Sequence, residues 1–241
     1  MKKLNAFQIK VFALFIMLLD HLFFAFPKVF PIWLHPLSRL VSPIFAYLMV
    51  EGFYHTRNRL KYNGRLFGWA IFMQSGNYLI NMALASKGVT VHNNIFMTLA
   101  FGLAIINCFE YSNKKVGIPK ILLIVLGILL IPLGIMFEGG QVVILVVLVS
   151  YFFRDKLKTQ AIIYVVFSII FLSMSYVPYE TMDMTINMLM FNCDFAFVIF
   201  FPFVLMYNGE RGMNNKFSKY LFYVFYPMHL WLIAIVEFML K

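Results

Sequence analysis

Charged residues and cysteines are scarce in this sequence of 241 residues. Only 12% of the residues are Asp, Glu, Lys or Arg, whereas a soluble domain carries about 25%. The only two cysteines, Cys108 and Cys193, lie in apolar segments, so the sequence has neither a disulfide framework nor the cysteine spacing of a metal site. Long polar segments are also lacking. These absences exclude a disulfide-bonded secreted domain and argue against a separate soluble domain.

Hydrophobic residues are correspondingly abundant. They make up 62% of the chain, against roughly 45–50% in soluble domains. The net charge of +10 would suggest a nucleic-acid partner in a soluble protein. In a membrane protein, basic cytoplasmic loops produce the same excess. The composition therefore predicts a polytopic protein of the lipid bilayer with no nucleic-acid partner.

Nine apolar segments are candidates for transmembrane helices, since a span needs about 20 mainly apolar residues. They cover residues 4–26, 37–54, 66–85, 94–111, 118–136, 141–153, 160–177, 184–207 and 220–240. The sixth is the shortest. We expect a single transmembrane domain over residues 1–241, with an all-α fold.

The distribution of basic residues predicts the orientation. If the N-terminus is cytoplasmic, as Lys2 at its start suggests, all but four of the 20 Lys and Arg residues fall on the inner side. The four on the outer side are Lys28, Arg39, Lys87 and Lys241. The prediction is a helical bundle of about nine spans with a cytoplasmic N-terminus.

The first two segments contain an unusual group of polar residues: Asp20, His21, Arg39, Glu51 and His55. A charge inside a bilayer costs at least ~2.5–3.5 kcal/mol, so such residues usually mark a functional site. His21 should lie roughly 7–8 Å below the outer boundary, at 1.5 Å per residue. Glu51 and His55 share a helix face and can pair directly.

Plainer interpretations remain open for several residues. Arg39 can extend its charged group to the water at a helix end. Glu51 and His55 can be a structural pair, and His229 can belong to a kink at Pro227. His35 is expected in an outer loop or boundary, without a special role.

A basic cluster follows the second segment. Arg57, Arg59, Lys61 and Arg65 either reflect topology alone or bind phosphate groups on the cytoplasmic side.

Residues 39–57, RLVSPIFAYLMVEGFYHTR, resemble the hallmark segment of the TraX family. The pair Asp20-His21, the basic stretch after the hallmark, NIFMTL at 94–99 and FYPMHL at 225–230 resemble it too, in chain order. The family is named for a conjugation protein that acetylates the N-terminus of a pilin subunit. It is similar to transmembrane acyltransferases that use cytosolic acyl-CoA and a buried histidine.

The resemblance implies an acetyltransferase of the bacterial cytoplasmic membrane. Acetyl-CoA would be the co-substrate, and the acceptor would be an amine or hydroxyl of a peptide N-terminus, a sugar or a polymer. His21 would be the catalytic base, Asp20 its electrostatic partner, and Arg39 a ligand of the oxyanion or the acceptor. No metal is expected. The residues expected to bind CoA are Arg57, Arg59, Lys61 and Arg65, and those expected to line the site are Glu51, His55, Asn94, Tyr226 and His229.

Two other classes of function fit the residues alone. A proton-coupled transporter or exporter can use the same Asp, His, Arg and Glu side chains as a relay. Against it, the sequence shows no matching pair of Gly- or Pro-broken helices in two halves. A scaffold protein is the third class, and it predicts that the buried charged residues are replaceable by apolar ones.

Overall fold

The computed structural model of the chain describes residues 3–241, and over this range the chain is all-helical, as predicted. No β-strand occurs between residues 3 and 241, where an isolated parallel bridge joins Leu4 to Tyr207. Lys2, which was predicted to lie on the cytoplasmic side, is outside the described residues.

The α-helices are α1 (Ala6–Ala25), α2 (Leu34–Ser38), α3 (Val41–His55), α4 (Arg59–Leu84), α5 (Ile95–Ser112), α6 (Ile118–Ile135), α7 (Gly140–Phe152), α8 (Leu157–Ser175), α9 (Met182–Phe191), α10 (Phe201–Met206) and α11 (Lys216–Leu240). Short 3₁₀ helices occupy Ala85–Lys87 and Asp194–Phe200.

Several of these helices can cross a bilayer. Helices α1, α5, α6, α8 and α11 are long and apolar enough to do so alone. Helix α9 and the segment Asp194–Met206 pass the same test together, but they are bent by 57° relative to each other. By length and composition, the described residues therefore contain five spanning helices, or six with the bent pair.

Each of the nine predicted segments contains helix, but the second, third, sixth and eighth contain no single helix that is long and apolar enough to span. Helix α3 has 15 residues and α7 has 13, which is shorter than the bilayer core requires. Helix α4 has 26 residues, but Gln74, Asn77 and Asn81 interrupt its apolar part.

The predicted eighth span is not one continuous helix. Helix α9 ends at Phe191, and Asn192 has left the helical conformation with φ −93° and ψ 54°. A 3₁₀ helix begins two residues later at Asp194. Asn and Asp compete with the helical backbone through their own side-chain hydrogen bonds, which favours a break at this point.

The helices form two compact units, which are described separately. The first contains the chain up to Ile44, Asn77–Val91 and Ala161–Lys241, and the second contains Phe45–Gly76 and His92–Gln160.

The first unit contains a clasp, a set of backbone hydrogen bonds between residues 4–7 and residues 206–211, which precede α11. The backbone N–H of Leu4 donates to Met206 O at 3.0 Å, and that of Asn208 donates to Leu4 O at 2.9 Å. The N–H groups of Ala6 and Phe7 donate to the loop that precedes α11. The clasp therefore holds the starts of α1 and α11 next to each other.

Capping boxes fix both helix starts. Asn5 caps α1 together with Gln8, and Asn215 caps α11 together with Ser218. From these caps, α1 rises about 24 Å to His21 and α11 rises about 21 Å to its histidine, His229, at 1.5 Å per residue. Two helices that start together and run parallel thus bring the two histidines to nearly the same level.

The second unit packs α5 against α6 and α7 through small residues. Gly139 forms the turn between α6 and α7 with φ +61°, a conformation that glycine adopts without strain. A Cβ added at Gly140 would overlap the backbone oxygens of Gly134 and Ile135. The close approach of the ends of these two helices therefore requires glycine at 140.

Candidate functional site

A pair of histidines joins α1 to α11 in the first unit. His21 Nδ1 of α1 is 2.7 Å from His229 Nε2 of α11. The rings are inclined by only 22°, with centroids 4.9 Å apart. His229 is buried and His21 is half-buried. The sequence predicted both residues for the site, and the structure brings them into direct contact.

The backbone of α11 determines the direction of the hydrogen bonds in this pair. His229 Nδ1 is 2.8 Å from Phe225 O, and a carbonyl oxygen can only accept, so Nδ1 of His229 carries a proton. When His229 is neutral, its Nε2 is therefore an acceptor, and His21 Nδ1–H donates to it. A neutral His21 in this tautomer keeps the lone pair of its Nε2. His21 thus has the arrangement of a general base whose ring is held by a second histidine.

Asp20, predicted as the electrostatic partner of His21, makes its hydrogen bond to a different histidine. Its Oδ1 is 2.8 Å from Nδ1 of His35, and both side chains are buried. Adjacent residues on a helix point about 100° apart, so Asp20 faces α2 while His21 faces α11. The prediction that His35 lies in an outer loop or boundary without a special role is wrong, since His35 lies in α2, is 4% exposed and bonds to Asp20.

Arg39 joins this second pair. Its Nη1 is 3.2 Å from Oδ1 of Asp194, and its Nη2 is 3.6 Å from Oδ2 of Asp20. Nη2 is also 3.3 Å from both Ser38 Oγ and His35 Nδ1. The terminal nitrogens of Arg39 are thus engaged with two carboxylates, while its Nε is buried without a hydrogen-bond partner among residues 3–241.

The bend in the eighth predicted span supplies two groups to this region. His35 Nε2 is 3.1 Å from Phe191 O, at the end of α9, and Asp194 follows the break. The Phe191 ring packs against the His35 ring, with centroids 5.9 Å apart. The break therefore has a local role: it directs a backbone carbonyl and a carboxylate towards α2 and Arg39.

Tyr226 lies beside the histidine pair. It is buried, and its ring centroid is 6.4 Å from that of His21 and 5.8 Å from that of His229. Its predicted position at the site agrees with these distances.

In the second unit, Glu51 does not pair with His55, which is exposed. Glu51 instead accepts two hydrogen bonds from Arg154, Nε to Oε1 at 3.0 Å and Nη2 to Oε2 at 3.2 Å. The Arg154 guanidinium lies 4.0 Å over the ring of Tyr54. The hydrogen bonds that Arg154 donates to Glu51 are the main reason that the pKa of Arg154 is raised above its ordinary value.

Arg59 differs from the rest of its basic cluster. It donates to Glu110 at 2.7 Å and lies 4.2 Å over the ring of Phe53. Tyr151 donates to the other oxygen of Glu110 at 3.0 Å. Arg59 is thus already bound within the protein.

Among the other three basic residues, Arg57 and Lys61 are exposed. Arg65 is half-buried and lies 5.3 Å over the ring of Tyr62. The structure therefore leaves Arg57 and Lys61 as the most accessible members of the cluster.

Asn94 lies in the second unit, at the start of α5. Its Nδ2 donates to Ala70 O at 3.0 Å and to Gln74 Oε1 at 3.2 Å. Its Oδ1 is buried without a partner in the described part of the chain. These contacts join α5 to α4.

Sequence reasoning missed three partners: His35, Arg154 and Glu110. The signal for His35 was its position four residues before Arg39, which places both on one side of a helical turn. Arg154 and Glu110 had no comparable local signal. No group of three or more His, Cys, Asp or Glu side chains among residues 3–241 could hold a metal ion.

Comparison with known proteins gave two matches. A family model described as TraX protein matches residues 6–237. A probable fimbrial assembly protein FimC, serogroup H1, from Dichelobacter nodosus is 25% identical over an alignment of 263 positions that covers 98% of this chain and 97% of the relative. No solved structure matches.

Proposed function

This chain belongs to the TraX family, and from that premise we propose that it is an integral-membrane acyltransferase that moves an acetyl group from cytosolic acetyl-CoA to an amine or hydroxyl acceptor. The observation that carries the proposal is the His21–His229 pair, which leaves one imidazole nitrogen available as a base. The relative from Dichelobacter nodosus is named for fimbrial assembly. A peptide amine is therefore one candidate acceptor, beside sugar and polymer hydroxyls.

His21 has the central chemical role in this proposal. Its Nε2 takes a proton from the acceptor as the acceptor's nitrogen or oxygen attacks the thioester carbonyl. The bond from the carbonyl carbon to sulfur then breaks. The resulting CoA thiolate takes the proton from His21 and leaves as the free thiol, so that the histidine returns to its initial state.

The neighbouring groups have supporting roles. His229 Nε2 accepts the hydrogen bond from His21 Nδ1–H and so orients the ring of His21. His229 is oriented in turn by its own Nδ1–H, which donates to Phe225 O. Arg39 keeps its proposed role as a ligand of the oxyanion or the acceptor, in which a guanidinium N–H would favour the negative charge that develops on the carbonyl oxygen, and its contacts with Asp20 and Asp194 hold it in place. Asp20 acts on His21 through its charge and through the position of α1, since its hydrogen bond goes to His35.

We assign the CoA phosphates to the basic cluster that follows α3. Arg57 and Lys61 are the exposed members, and Arg65 contributes a third charge. Arg59 is assigned a structural role, because it neutralises Glu110. Phosphate oxygens are good ligands for both guanidinium and ammonium groups.

The proposed topology has nine spans in the bacterial cytoplasmic membrane, with the N-terminus inside. The parallel course of α1 and α11 supports an odd number of spans, because successive spans alternate in direction. The five spanning helices and the bent pair amount to six, and α3, α4 and α7 bring the number to nine. The positive-inside rule gives the orientation.

The first test is acetyl-CoA binding by the protein purified in detergent. The variants are Arg57→Ala/Lys61→Ala and His21→Ala, and the matched controls are Lys28→Ala and His92→Ala. Both control residues are exposed and carry the same side-chain types. We expect the double variant to bind acetyl-CoA about tenfold more weakly, since charge-assisted hydrogen bonds are lost. We expect His21→Ala and both controls to bind like the wild type.

The second measurement is acetyl transfer from labelled acetyl-CoA to components of the membranes that contain the protein. We expect His21→Ala to lower the rate by about 10²–10⁴, the usual contribution of a general base. Transfer at the wild-type rate in His21→Ala would contradict the assignment, and so would wild-type protein that binds no acetyl-CoA.

The bent span favours a proton-coupled transporter as the second candidate. Broken helices beside buried charges often line transport pathways, and Asp194 follows this break directly. A transporter would move protons or a solute across proteoliposomes without converting acetyl-CoA to CoA. Measuring CoA release and proton uptake on the same proteoliposomes separates the two functions.

A further inference from the structure

We infer that His35 is a positioning residue with two separate hydrogen bonds: the bond to Asp20 fixes the face of α1 that carries His21, and the bond to Phe191 O holds the bend between α9 and Asp194–Phe200. This inference rests on the proposed function for its effect on acetyl transfer. Its structural part depends only on two hydrogen bonds. Those bonds run from one imidazole to two different elements: Asp20 of α1 and Phe191 O of α9.

Both ring nitrogens of His35 face acceptors. Phe191 O can only accept, so Nε2 carries a proton. Nδ1 faces the Asp20 carboxyl at 2.8 Å, and this contact needs a second proton, either on Nδ1 or on the carboxyl. In either arrangement the His35–Asp20 pair holds one shared proton.

The charges around this pair balance. Asp20 and Asp194 are the acidic groups, and Arg39 contacts both of them. With one proton shared between His35 and Asp20, the four side chains are together neutral. A neutral, hydrogen-bonded cluster is the form in which charged groups persist in a buried site.

The hydrogen bond between His35 and Asp20 also affects His21, the next residue in the chain. Because the Asp20 carboxyl is engaged by His35 and Arg39, it does not compete for the Nδ1 proton of His21. His21 Nδ1 is then free to bond to His229. His35 thereby affects the orientation of the proposed base without touching the substrate.

Two amide side chains can imitate the two halves of His35 separately. The amide nitrogen of Asn lies near the position of imidazole Nδ1, so His35→Asn keeps a donor for Asp20. The amide nitrogen of Gln lies near the position of Nε2, so His35→Gln keeps a donor for Phe191 O. His35→Ala keeps neither, and His92→Gln serves as a control at an exposed histidine.

A reporter for the bend is already present in the chain. Cys193 follows Phe191 by two residues and is only 1% exposed. Cys108, also a buried thiol, lies in the other compact unit and serves as the internal reference. The probe is N-ethylmaleimide, and mass spectrometry of the two cysteine peptides gives the labelling rates in protein reconstituted in nanodiscs.

We expect His35→Ala and His35→Asn to raise the labelling rate of Cys193 by about fivefold or more, the factor that corresponds to one net hydrogen bond. Cys108 should stay at its wild-type rate. His35→Gln and His92→Gln should leave Cys193 protected. The rate of acetyl transfer should depend on the bond to Asp20 instead. We expect it to be retained in His35→Asn and reduced about fivefold or more in His35→Gln.

In the labelling measurement His35→Gln should resemble the wild type, whereas in acetyl transfer His35→Asn should. A purely structural role of His35 would not give these opposite orders. Equal effects of Asn and Gln in both measurements, or an unchanged Cys193 rate in His35→Ala, would overturn the inference. If His35→Ala does not fold, the Asn and Gln variants still decide. If the wild type transfers no acetyl group, the proposed function fails, whereas the labelling rates still decide whether His35 anchors the bend.

Discussion

Replacement of His229 by leucine tests the hydrogen-bond chain that orients His21. In the wild type, Phe225 O holds Nδ1 of His229, and Nε2 of His229 faces Nδ1 of His21 at 2.7 Å. Leucine fills much of the same volume but offers no acceptor. His229→Leu therefore leaves the Nδ1–H of His21 without its partner in a partly buried site.

The size of the effect follows from that lost acceptor. A buried donor left without a partner costs about 1–3 kcal/mol. If this cost falls on the reactive orientation of His21, the rate of acetyl transfer drops roughly 5- to 150-fold. Acetyl-CoA binding should not change, because the residues proposed to bind CoA lie elsewhere in the sequence.

The assay measures release of the CoA thiol from acetyl-CoA at saturating concentration, in membranes that contain the protein, together with the Kd for acetyl-CoA. His229→Gln is the matched variant, since its side-chain oxygen can accept from His21 near the position of Nε2, and we expect it to recover most of the rate. His92→Leu controls for loss of an exposed histidine. Wild-type rates in His229→Leu, or equal loss in the Gln and Leu variants, would refute the proposed orientation of the base.

Three further predictions concern stability and topology. Glu51→Ala should lower the free energy of unfolding by about 1–3 kcal/mol, because Arg154 loses a bidentate partner in a partly exposed site, and Glu51→Ala/Arg154→Met should recover part of this in thermal unfolding. Gly140→Ala should lower Tm by several degrees, since its Cβ would overlap backbone oxygens, whereas Gly64→Ala has open space and should not. A periplasmic reporter fused after Lys241 should be active and one inserted beside Lys156 inactive, and the reverse result would contradict the proposed orientation.

The sequence alone determined the helical class and most helix positions. Long apolar runs must satisfy their backbone hydrogen bonds internally, so they form helices, and the predicted segments at 4–26 and 118–136 agree with α1 and α6 within a few residues. The high cost of burying charge also identified His21, Arg39 and Glu51 as residues that need partners. These conclusions depend on composition and local periodicity, which a single sequence contains.

The partners themselves were decided by the tertiary structure. His21 meets His229 at a separation of 208 positions, and Glu51 meets Arg154 at a separation of 103. Locally, Asp20 was the neighbour of His21 and His55 the possible partner of Glu51, but Asp20 bonds to His35 and Glu51 bonds to Arg154. Local spacing gives only the helix face of a residue, whereas a hydrogen bond of about 3 Å needs the rotation, level and packing of two distant helices.

The break in the helix after Phe191 is a second feature that local sequence patterns did not predict. The sequence 184–207 is apolar enough for one span, but the helix ends at Phe191, where Asn192 leaves the helical conformation and Phe191 O bonds to His35. Hydrophobicity thus determined which segments can enter the bilayer, and long-range hydrogen bonds decided where one of them bends and which polar groups meet, since hydrophobic burial is non-directional and hydrogen bonds are not.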